Sequence, residues 1–276
     1  MPTNRTINIR GKRLITTAFT LALAAGVAGC ATDKLTTGSI GRTSGKPLET
    51  MSAGELHNAT AALGQSYARS PNDKRIATNF AAALQMDGDA DQSLAVMRKL
   101  AIAYPKDRDV LAAYGKALAA NGQFEAALDA VRRAQTPEYP DWRLVSAEGA
   151  ILDQLNQKDE ARQLYRKALE LKPNEPSILS NLGMSYVLEG DLRTAETYMR
   201  SAAQQSNADS RVRQNLALVV GLQGRFDEAE KIASQELSPD QAQANVAYLR
   251  QMLAQQNAWS QLKDQDKAKP AKTATN

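Results

Sequence analysis

Two residues with reactive side chains occur once each in this 276-residue chain, Cys30 and His57. A single thiol forms no internal disulfide, no Cys-x-x-Cys redox pair and no thiolate zinc site. His57 has no second imidazole and no nearby thiol, so neither a metal site nor a triad can be built around it, and a surface role is expected. The acidic run Asp87-Gly88-Asp89-Ala90-Asp91 begins like a calcium loop. It then departs from one, with Gln92 at the sixth place, where such a loop turns on Gly, and Arg98 at the twelfth, where a bidentate Glu is needed. Turn chemistry between two helices explains the run. Neither a G-x-x-x-x-G-K-S/T phosphate loop nor a G-x-S-x-G elbow occurs. These residues predict a non-enzymatic protein with no metal, no cofactor and no small-molecule substrate.

Cys30 draws its meaning from what precedes it. Arg5, Arg10, Lys12 and Arg13 make a basic start, Leu14 to Val27 is apolar, and the first acidic residue is Asp33. A cationic start, a short apolar run and a small-residue cleavage site are the layout of a secretory signal. The apolar run is shorter than the roughly 18 residues of a membrane span. Val27-Ala28-Gly29-Cys30 also resembles the bacterial lipobox, which makes residues 1–29 a lipoprotein signal peptide and Cys30 the acylated, palmitate-bearing first residue. The alternative is an ordinary signal with a chance cysteine. Several acyl chains hold a protein lastingly on a bilayer, whereas one holds it marginally. Ala31, in place of Asp, favours the outer membrane by resemblance to the lipoprotein sorting rule, with the protein facing the periplasm.

The chain carries 34 basic and 30 acidic residues, but four of the basic and none of the acidic ones lie in residues 1–29. The remainder is electrically balanced, so no basic field argues for nucleic acid. Residues 30–50 read as the acylated Cys and a flexible tether rich in Thr, Gly and Ser, and residues 258–276 as a disordered Lys- and Ala-rich tail. Between them, residues 51–257 are helical by periodicity.

That body repeats. Pro71, Pro105 and Pro173 are spaced by 34 and by twice 34, and units opening at Lys74, Arg108, Trp142, Pro176 and Ser210 align without an insertion. Their eighth places hold Ala81, Gly115, Gly149, Gly183 and Ala217, and their twentieth places Ser93, Ala127, Ala161, Ala195 and Ala229. Two antiparallel helices approach closely only where facing residues lack bulk, which is what these columns supply. Their fifteenth places hold Gly88, Gly122, Asn156, Gly190 and Gly224, residues suited to a left-handed turn after a helix. Leu84, Leu118, Leu152, Tyr186 and Val220 at the eleventh place fill the space between units. A 34-residue period with these columns marks the tetratricopeptide repeat. The expected fold is all-α, a solenoid of five full repeats with an N-terminal half repeat from residue 53 and a closing helix from Ser238 and Pro239, twelve helices in all. Glu148 departs from the pattern at the usually apolar seventh place, where a carboxylate must be exposed or paired.

In such solenoids the first helices of successive units line the concave face, with places two, five, six, nine, twelve and thirteen turned inward. The early units put small or polar groups there, such as Thr78, Asn79, Ala112, Lys116 and Ser146. The last two put Asn181, Met184, Val187 and Leu188, then Arg211, Asn215, Leu218 and Leu222. An apolar groove with amides on its rim suits an amphipathic helix or extended segment of a partner protein, the amides bonding to its backbone. The competing reading is that the closing helix covers this stripe.

The segment NLALVVGLQGRFDEAEKIASQELSPDQAQANVAYLRQML, residues 215–253, resembles the last repeat and closing helix of TadD-like lipoproteins of the Flp (tight adherence, type IVb) pilus machinery. The likeness extends over residues 50–255 and the lipobox, with SPDQAQANVAYLRQML its most specific part because it belongs to no repeat consensus. It implies a non-enzymatic outer-membrane lipoprotein that helps the pilus secretin, or another Tad component, localise or assemble. The alternatives are a general periplasmic adaptor, BamD-like or NlpI-like, serving outer-membrane protein insertion or peptidoglycan enzymes, and a hydrolase using carboxylates such as Glu148.

Overall fold

The computed structural model describes residues 46–268 apart from 137 and 139, with side chains described as far as residue 256 apart from that of 49, so Cys30 and the signal segment lie outside the described residues. A 3-10 turn at Leu48–Thr50 leads into α1 (Ala53–Arg69), the second helix of a half repeat. Five hairpins follow: α2 (Lys74–Met86) with α3 (Ala90–Ala103), α4 (Arg108–Ala120) with α5 (Phe124–Ala134), α6 (Trp142–Gln154) with α7 (Lys158–Leu171), α8 (Pro176–Glu189) with α9 (Leu192–Ala203), and α10 (Ser210–Leu222) with α11 (Phe226–Ala233). The last described element is α12 (Pro239–Ala268).

Local chemistry sets these boundaries. The Asp73, Asp107, Asp141 and Asp209 side chains accept N–H groups of the first turns of α2, α4, α6 and α10, and Ser52 forms a capping box with Glu55 at α1. Ser238 caps α12, its hydroxyl accepting the Gln241 N–H at 3.3 Å, with Pro239 in the first turn. Every fifteenth-place residue has positive φ, including Asn156 at 60° among the glycines. Helix α12 is described through Ala268, past the expected 257 boundary, and residues 258–268 contain neither of the helix-breaking residues Gly and Pro.

The small-residue columns do what the spacing requires. A Cβ on Gly149 would lie 2.9 Å from the Tyr165 ring and 3.1 Å from the Ala161 carbonyl oxygen, so only glycine lets α6 and α7 approach this closely. At Ser93 the hydroxyl uses the same proximity, donating to the Ala81 carbonyl at 2.8 Å. Larger side chains, among them Met97, Leu118, Leu152, Tyr165, Ile178, Leu182 and Met199, are fully buried and make a wall of apolar contact along the stack. Neighbouring first helices, α2 through α10, also touch one another directly, whereas successive second helices do so far less. The first helices therefore lie on the inside of the curve.

Candidate functional site

On that inner surface the eight expected groove residues fall on two adjacent helices, α8 and α10. Asn181, Met184, Val187, Leu188, Arg211, Asn215 and Leu222 are half-buried, and Leu218 is 37% exposed. Their neighbours one place along, Leu182, Gly183, Leu216 and Ala217, are buried in the stack. This alternation is the helical period at work, with one side of each helix fixed by packing and the next side left open. Met184 and Val187 rest on the cluster formed by Leu216, Val219 and Val220, which gives the open strip a rigid floor.

The amides are less free than the sequence suggests. Asn181 Nδ2 donates to Ser146 Oγ at 3.2 Å, and Asn215 Nδ2 donates to Ser180 Oγ at 3.1 Å. Each rung ties a first helix to the one before it. Each amide spends one donor on the scaffold and keeps its carbonyl oxygen and second N–H, so the side chains are held in place and still offer an acceptor and a donor. At the rim Arg211 bonds back to Asp209 at 2.8 Å. Burial works against charge on Asp209, yet the bonds from Arg211 and the Val212 N–H hold its carboxyl below the ordinary value.

Helix α12 docks on the end of the stack. Ala242, Val246 and Leu249 are buried against α10 and α11, and Leu249 lies so close to Gly221 that a Cβ there would stand 2.5 Å from its Cδ2. It thus covers one groove place of α10, Gly221, while Leu218, a turn earlier, stays exposed.

The isolated candidates for chemistry resolve into structure. Glu148 is buried and paired, its Oε1 accepting Arg132 Nε at 2.7 Å and its Oε2 accepting Gln135 Nε2 at 2.7 Å. His57 is a surface side chain whose Nδ1 lies 3.0 Å from Asp87 Oδ2, and Asp89 caps α3. Among the described residues no three His, Cys, Asp or Glu side chains are grouped to hold a metal ion, and no helix is long and apolar enough to cross a membrane.

One polar group escaped the sequence reading. Asp153 occupies an expected groove place on α6 but is 8% exposed, accepting Tyr165 Oη at 2.9 Å from its own repeat and Ser185 Oγ at 2.8 Å from the next. Burial pushes its carboxyl above the ordinary value, opposed by those two hydrogen bonds and by the Arg162 and Lys158 charges. The other twelfth places, Gln85, Ala119, Val187 and Gly221, give no hint of it; only a hydroxyl at Ser185 in the next unit marks the pairing.

Comparison with known proteins bears on the repeat itself. A family profile described as tetratricopeptide repeat matches residues 78–141, and one described as TPR repeat matches residues 149–190. The fold is that of a tetratricopeptide repeat solenoid. Among solved structures, a TPR protein of Parabacteroides merdae is similar at TM-score 0.62 and 14% identity, over 71% of this chain and 78% of its own. TTC0263, a TPR protein of Thermus thermophilus, is similar at TM-score 0.56 and 18% identity, over 63% of this chain and 97% of its own. No curated protein matches the chain. At these identities the likeness is one of fold. A TPR solenoid is an interaction scaffold, built to present one curved surface to a protein partner.

Proposed function

We propose that this protein is an outer-membrane lipoprotein, anchored through Cys30 and facing the periplasm, that acts as an interaction scaffold in Flp pilus assembly. The observation that carries the scaffold reading is the open apolar strip of α8 and α10, with Leu218 37% exposed between half-buried Met184, Val187 and Leu222 while α12 is already docked beside it. Its chemistry suits a short apolar segment of a protein partner. Met184, Val187, Leu188, Leu218 and Leu222 take the side chains, and Asn181 and Asn215 offer their remaining amide groups to the backbone. Specificity for the pilus rests on the resemblance of residues 215–253 and on the lipobox, and the partner it points to is the secretin or another Tad component. The tether, residues 31–50, gives the solenoid reach from the bilayer.

The test is deletion of the gene, with the secretin multimer measured in the outer-membrane fraction beside complementation by the wild-type and Cys30→Ser forms. Loss of the multimer, restored by the wild type and not by Cys30→Ser, is the expected result. A multimer unchanged by deletion removes the secretin from the proposal.

A further inference from the structure

Helix α12 carries two stripes, and the body of the protein covers one of them. Ala242, Val246 and Leu249 face α10 and α11 and are buried, and Leu253 continues that stripe half-buried. The second stripe is Asn245, Tyr248, Met252 and Gln255, on another side of the helix, and all four are exposed. Tyr248 is 65% exposed and Met252 39%. Two large apolar side chains one turn apart on a docked helix are an unfinished packing surface, since exposed apolar residues are ordinarily scattered singly.

We infer that this stripe pairs with the same stripe of a second copy of the chain, the two α12 helices lying antiparallel about position 250. Three features of the helix select that occupant. First, the steps between the four residues are three, four and three, the alternation that keeps a seam on one face of a paired helix. Second, the stripe reads the same in both directions, amide, apolar, apolar, amide, and a two-fold interface has to be self-complementary in this way. Antiparallel pairing then sets Tyr248 of one copy on Met252 of the other, twice, an aromatic–thioether contact. It sets Asn245 opposite Gln255 at both ends, where the amides supply donor and acceptor to each other. Third, the only charged residues between Pro239 and Gln256 are Asp240 and Arg250, so a second copy meets no like-charge barrier, and a strongly charged partner finds nothing to recognise. Arg250 stands aside from the seam, its guanidinium 4.6 Å from the centre of the Phe226 ring.

The test is sedimentation of the full chain carrying Cys30→Ser over a concentration series, beside the double variant Tyr248→Glu with Met252→Glu. The expected result is a dimer whose dissociation constant rises about tenfold or more in the double variant. Helicity and melting temperature of the double variant's monomer should match the parent, because both residues are exposed and neither belongs to a core cluster. A monomer at every concentration, or a dimer indifferent to the double variant, overturns the proposal. Orientation is read by oxidation: Tyr248→Cys with Met252→Cys in one chain should form the inter-chain disulfide faster than Tyr248→Cys alone. Equal rates would indicate parallel helices and overturn the antiparallel seam.

Discussion

Asp153 and Glu148 are two buried carboxylates with different partners. Glu148 has a cation, Arg132, and an amide donor, Gln135, on its two oxygens. Asp153 has two hydroxyl donors and no cation in direct contact, so burial raises its pKa. A carboxyl that binds its proton more tightly in the folded than in the unfolded chain contributes most below its unfolded pKa. That contribution is lost as pH rises through the folded value, and at neutral pH the ionised group costs stability. Asp153→Asn is therefore expected to raise the melting temperature at neutral pH, its amide accepting from Tyr165 and donating to Ser185. The gain over wild type should shrink toward acid, as read by thermal melts across that range; a gain that grew toward acid would contradict the assignment. Glu148 was legible in the sequence because it breaks an apolar column. Asp153 was not, because its column is variable and its partners come from two different helices.

At the scale of the elements, the turn and contact columns were legible because they answer to geometry alone. A hairpin of this kind needs a left-handed residue at one place and small residues at two others, whatever the partner or function. Gly149 is the most constrained of them, and Gly149→Ala is expected to cost about 1–3 kcal/mol by forcing Tyr165 and the Ala161 backbone apart. Urea unfolding of the two proteins measures the difference, and a loss below a few tenths of a kcal/mol would mean that α6 and α7 separate easily. Two features of single elements were not legible. The helical backbone of residues 258–268 is compatible with their lack of Gly and Pro, while their polar composition suggested a tail. The seating of the Asn181 and Asn215 amides on Ser146 and Ser180 depends on the spacing between neighbouring first helices, which no single repeat encodes.

As a whole molecule the protein is graded along its length. Its early concave places carry small and polar side chains, and the apolar ones collect on α8 and α10, beside the end that α12 closes. A ligand grips such a surface through a few exposed residues in a rigid surround, and Leu218 is the exposed one of a strip whose Met184 and Val187 rest on the Leu216, Val219 and Val220 cluster. Leu218→Glu is expected to weaken partner capture about tenfold or more with helicity unchanged, because a carboxylate placed in an apolar contact must be desolvated. The most direct measurement of capture on the late concave face is photo-crosslinking in the protein's native cells, with a photoreactive residue replacing Leu218 and, separately, Asp129, an exposed position on the second helix α5. An adduct with a protein partner is expected from position 218, with the secretin or another Tad component under the proposed function, and none from position 129. Adducts from 129 alone, or from neither position, would contradict the late concave face as the site of capture.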